Sequence, residues 1–114
     1  AKAAKRKTAL AATGKAFDAP REQGESDKDY YSRLAETPFE NYPDRISRPD
    51  RESFMSLYLD GGMDLVRTTI ASWIKSAEKG VQEHGGTPSD RDRIENWPKF
   101  LKHFEAEMTK RGLK

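Results

Sequence analysis

Lys2, Lys5, Arg6, Lys7 and Lys15 fall within the first seventeen residues, and no acid falls among them. Five cations on a short segment pair with phosphates or carboxylates and release the counterions those groups hold. The pattern predicts a polyanionic partner: nucleic acid first, DNA ahead of RNA, and otherwise an acidic protein surface. Lys5-Arg6-Lys7 also has the composition of a nuclear-localisation run. The rest of the chain lacks this bias. Residues 18–53 carry ten acids against six bases, and residues 54–114 carry ten bases against nine acids. The net charge of +2 therefore conceals a basic N-terminus.

Other polar groupings have plainer explanations. His84 and His103 are the only histidines and lack a third ligand for zinc. No nucleophile stands beside a base. His103 and Glu107, spaced i, i+4, read as a surface pair. Asp90, Asp92 and Glu95 lack the glycine and spacing of a calcium loop and suit the first turns of a helix. Gly61-Gly62 and Gly85-Gly86 lack the frame of a phosphate loop. Arg45, Arg48 and Arg51 are spaced by three and could follow a phosphate backbone. Asp44 and Asp50 beside them make local ion pairs the preferred reading. The expectation is a non-enzymatic protein with no cofactor and no metal.

Composition sets the frame. A chain of 114 residues makes one domain, and at 34% hydrophobic and 35% charged its core must be modest. With no cysteine, disulfides and thiolate metal sites are excluded. No apolar run reaches the ~18 residues of a membrane helix. The N-terminus is too polar for a secretory signal. The expected location is the cytoplasm, or the nucleus in a eukaryote.

Those elements must position the cations. Residues 1–25 read as a flexible basic arm and polar linker, disordered until bound, and residues 26–114 as a helical domain. Ser26 and Asp29 have capping spacing, which predicts a helix from about Asp27 to Glu36. Pro38, Pro43 and Pro49 forbid long regular structure between Thr37 and Arg48, where Phe39, Tyr42 and Ile46 should pin the chain to the core. Residues 50–60 fit a helix or a strand, and acids after Pro49 favour the helix. Val66, Ile70, Trp73, Ala77 and Val81 mark the clearest helix, Met63 to Lys79, with Gly80 as its stop. Thr87, Pro88 and Asp90 predict a capped helix to about Asn96. Pro98 should kink it or start another, which carries Trp97, Leu101, Phe104 and Met108 and ends at Gly112. The fold class is all-α: three to five short helices with a basic N-terminal arm.

The run Arg67-Thr68-Thr69-Ile70-Ala71-Ser72-Trp73-Ile74-Lys75 resembles the recognition helix of helix-turn-helix proteins, which implies that its Arg, Thr and Ser side chains face a DNA groove while Ile and Trp hold the helix to its partner. Arg67 and Lys75 on this helix are expected to add contacts to those of the arm. Gly61-Gly62 lie too far before Thr69 to match that family's tight turn, and a continuous core helix is preferred. With Ser53–Leu59 as a strand, the chain would instead resemble a ribbon-helix-helix dimer. Its outward face, Phe54, Ser56 and Tyr58, carries no base. The functional expectation is a small nucleic-acid-binding accessory or regulatory protein, for which a homodimer is allowed. The alternative is a structural or adaptor subunit that wraps a protein partner through the arm and the Pro-rich segment.

Overall fold

The computed structural model describes residues 2–113, with side chains from residue 5 onward. Four α-helices follow in order: α1 (Lys2–Ala16), α2 (Asp27–Glu36), α3 (Arg48–His84) and α4 (Pro88–Lys110). A 3₁₀ turn, Thr37–Phe39, follows α2. The described residues contain no strand, so the chain is all-α as its sequence predicts.

The N-terminal segment differs from the sequence reading. It is a helix rather than chain disordered until bound. Leu10 and Thr13 are buried, and Thr13 Oγ1 donates to the Ala9 carbonyl. One leucine and one satisfied hydroxyl anchor a helix too polar to stand alone.

Local sequence signals explain most boundaries. Ser26 Oγ accepts from the Asp29 amide and starts α2. The Pro-rich segment after α2 is pinned as expected, with Phe39 and Ile46 buried and Tyr42 half-buried. Ser47 caps α3 through the Asp50 amide. Residues 53–59 belong to this helix, which overturns the ribbon alternative. Phe54, Met55, Leu59 and Met63 are buried at helical spacing, and that face would be lost in a strand.

α3 keeps the expected division between residues 50–60 and the segment from Met63, but departs from expectation at its end. It is broken at Gly62, whose φ of 74° and ψ of −169° belong to glycine alone. It continues past Gly80 to His84, and Gly85, at φ 75°, is the residue that ends it. Gly80 has a different use: a Cβ there would stand 2.9 Å from Asp90 Oδ2. Its bareness lets the start of α4 approach. That start is a full capping box, with Thr87 Oγ1 accepting from the Asp90 amide and Asp90 Oδ2 accepting from the Thr87 amide, both at 3.1 Å. Pro98 does not divide α4, which runs unbroken to Lys110. Pro98 is exposed, so the carbonyl it leaves unbonded can turn to water.

The core lies where α2, α3, α4 and the 3₁₀ turn meet. Phe54, Phe104, Leu34, Met55, Ile70 and Met108 are its largest fully buried side chains. Phe39 meets Phe54 edge-on at 5.7 Å and stacks on Phe104 at 5.8 Å. Each such side chain contributes about 2 kcal/mol of transfer free energy, with a further increment for the ring pairs.

Candidate nucleic-acid interface

α1 divides its cations between two faces. Arg6 turns inward. It donates to Ser56 Oγ at 3.2 Å, pairs with Asp60 at 2.7 Å and lies 5.5 Å over the Tyr31 ring. Its charge is committed to holding α1 against α3. Lys5, Lys7 and Lys15 are exposed. Lys15 lies on the outer face with Thr8, Ala11 and Ala12. Lys5 and Lys7, two residues apart, stand on its opposite flanks, Lys5 at the cleft with Asp60 and Gly61 and Lys7 at the cleft with Asp18 and Ala19. The small side chains between them let a phosphate backbone come close. The side chain of Lys2 lies outside the described residues.

The other two predicted contacts do not join this face. Arg67 bridges α3 and α4: its guanidinium pairs with Glu105 at 2.9 Å and with Asp64 at 2.9 Å. The same bond holds the Glu105 carboxyl below the usual carboxylate range. Lys75 is exposed, but it lies thirteen residues beyond the break at Gly62, about 20 Å along the helix. Within the run that resembles a recognition helix, Ile70 is buried and Trp73 packs on Trp97 at 5.4 Å.

How α1 ends decides what stands beside it. Asp18 takes a left-handed conformation, φ 53°. The Asp18 amide donates to the Lys15 carbonyl at 3.1 Å and the Ala19 amide to the Gly14 carbonyl at 2.9 Å. This pair of bonds is a Schellman turn, with Asp where glycine is usual. The turn brings Pro20 and Arg21 back along α1. Gly14 fixes the distance: Tyr30 lies so close that a Cβ at Gly14 would stand 1.8 Å from its hydroxyl oxygen. That hydroxyl donates to the Ala19 carbonyl at 2.7 Å.

The result is a cleft of about 430 Å³ between α1 and the turn, with Lys7, Lys15 and Arg21 on its walls and Asp18 as their one acidic neighbour there. Arg21 is the contributor that the sequence reading missed, taking it as linker. Gly14 in an Ala-Lys helix is the one signal of it, as a mark of close approach rather than of weakness.

The remaining groupings depart in part from their plain readings. Arg48 and Arg51 pair with acids other than the neighbouring Asp44 and Asp50. His103 and Glu107 are half-buried rather than a surface pair, with His103 stacked on Phe39 at 5.8 Å. Arg48 pairs with Glu52 at 3.0 Å, and Arg51 with Glu36 at 3.5 Å. His103 Nε2 lies 3.9 Å from Glu107, whose carboxyl the Arg111 guanidinium draws below its ordinary range. Asp44, Asp50 and Asp92 line a second cleft, where burial pushes the Asp50 carboxyl up. No cluster among the described residues has the ligands for a metal ion. No helix of the described residues is long and apolar enough to cross a membrane. Comparison with protein-family models, curated proteins and solved structures finds no match.

Proposed function

We propose that this chain is a small non-enzymatic accessory protein that binds nucleic acid, DNA before RNA, through the outer face of α1. One observation carries the reading. α1 has no acid, and Lys5, Lys7 and Lys15 remain exposed on it while Arg6 is consumed internally. Lysines on a helix docked to a folded body present charge at fixed spacing, which a solvated polyanion can meet without ordering a tail. Binding of this kind is read from the backbone and is weakly selective for sequence. Arg67 drops out of the contact set because its partners are Glu105 and Asp64. Lys75 is a peripheral contact at most. The adaptor reading has less support: no large hydrophobic side chain is exposed among the described residues to serve as an apolar docking patch.

The test is a titration of labelled duplex DNA, single-stranded DNA and RNA at several salt concentrations. Wild type is compared with the triple variant Lys5→Gln, Lys7→Gln, Lys15→Gln. Loss of three phosphate contacts should flatten the log–log salt slope by about 2–3. An equal slope in both proteins, or no binding by wild type at low salt, sinks the reading.

A further inference from the structure

We infer that the cleft between α1 and the residue 18–21 turn holds one unpaired nucleotide of a single strand, the phosphates on its two sides at Lys7 and Lys15 and its base on the open face of Arg21. The inference rests on the nucleic-acid reading above and narrows it to a conformation of the ligand.

Arg21 is the group that argues for a base. Its guanidinium is fixed on three sides: it pairs with Asp27 at 2.6 Å, donates to the Glu25 carbonyl at 3.2 Å and lies 4.7 Å over the Tyr30 ring. The edges are bonded and one face is on the ring. The opposite face is what remains, and the Arg21 side chain is still 38% exposed. A flat cation held in this way is a platform on which a nucleobase stacks, as bases stack on guanidinium planes in single-strand recognition. Tyr30 itself is not available, because it is buried beneath Arg21 with Arg33 also over its ring at 5.1 Å.

The lysines supply the other half. Lys7 and Lys15 stand eight residues apart, about 12 Å along α1, so they bracket the cleft rather than crowd one point. The floor between them is Ala11 and Gly14, and the far wall is Ala19 and Pro20. A cleft of about 430 Å³ with a small apolar floor and a few convergent cations suits a ligand of nucleotide size. A duplex fits it badly, because its bases are stacked inside a convex surface. Only an unpaired nucleotide offers phosphate and base to a concave site together. Asp18, on the cleft wall, accepts from an amino group on the base or a hydroxyl on the sugar.

Arg21→Lys tests this, because it keeps the charge and discards the flat face. Wild type, Arg21→Lys and the triple lysine variant are titrated with oligothymidylate, a duplex of equal length and thymidine monophosphate. Thermal melts confirm that each protein is folded. The expected result for Arg21→Lys is about tenfold weaker binding of oligothymidylate, with an unchanged salt slope and unchanged duplex affinity. Wild-type affinity of Arg21→Lys for the single strand overturns the inference while leaving the lysine reading intact. Loss of thymidine monophosphate binding in Arg21→Lys, with no effect on the strand, overturns the strand as occupant and assigns the cleft to a free nucleotide. If the triple variant binds every probe as wild type does, the nucleic-acid reading itself fails, whatever Arg21 does.

Discussion

At the residue scale, Gly14 and Glu25 show opposite ways of fixing one turn. In an ordinary helix interior, glycine to alanine gains up to about 1 kcal/mol of propensity. At Gly14 the new Cβ would stand 1.8 Å from the Tyr30 hydroxyl oxygen and 2.9 Å from Cζ. The ring must move, and its bond to the Ala19 carbonyl is lost with it. Overpacking and a lost hydrogen bond together outweigh the propensity, so Gly14→Ala should destabilise by about 2 kcal/mol in urea denaturation. A stabilised variant would mean that Tyr30 is not packed where it is described. Glu25 fixes the turn by charge. Arg33 donates to both its carboxyl oxygens, at 2.9 and 2.8 Å, and the Glu22 amide donates at 3.0 Å. The Arg33 bonds first, and that amide second, bring its pKa from 4.5 down to about 2. A carboxyl depressed on folding stabilises above its unfolded pKa, so this contribution is complete above about pH 4.5 and fades as pH falls toward 2. A carbon-13 NMR titration should find Glu25 ionised well below the other glutamates, and Arg33→Gln should return it to the ordinary range. A normal midpoint in wild type would mean that the pair does not persist in solution.

At the element scale, the break in α3 is the feature that most shapes the molecule. Gly62 holds a φ and ψ that a side chain forbids, and Tyr58, Leu59, Asp60 and Gly61 just before it meet α1. Gly62→Ala should therefore cost about 2–3 kcal/mol, read as a lower urea midpoint. An unchanged midpoint would show that α3 can run through the break without penalty. The extent of this element in sequence was only partly legible. The face Val66, Ile70, Ala77 was legible because it obeys the helical period, and all three residues are buried. The end was not, because Gly80 and Gly85 look alike to a rule that stops helices at glycine. What separates them is tertiary: Gly80 faces the Asp90 carboxylate, and only Gly85 takes a positive φ. Asp27–Glu36 and the capping box at Thr87 were read to the residue, because a cap is written in three or four adjacent residues.

At the scale of the whole molecule, charge and burial give different accounts of residues 1–17. Charge alone marks them as a tail, and it correctly exposes Lys5, Lys7 and Lys15. It cannot see that Arg6 meets Asp60 and Arg67 meets Glu105, because those partners lie 54 and 38 residues away. Nor can it see the cleft, which exists only after the turn at Asp18 has folded back. Burial marks the same residues as part of the body. Leu10 is 6% exposed and Thr13 1%, Leu10 shares a cleft wall with Tyr31 and Leu59, and Arg111 lies 5.2 Å over the Phe17 ring. Removing residues 1–17 should then uncover apolar surface as well as remove charge. Loss of one buried leucine and the contacts around it is about 3 kcal/mol, a large share of the ~5–15 kcal/mol that holds a domain together. For a chain of this size that lowers Tm by about 10 °C. The triple lysine variant changes only exposed side chains and should stay within about 0.5 kcal/mol of wild type. Scanning calorimetry of the three proteins decides between the accounts. A truncated chain that melts with wild type would make α1 a detachable arm. A chain that melts early while the lysine variant does not would make α1 a structural helix whose outer face is left for binding, and binding lost on truncation would then report unfolding as much as charge.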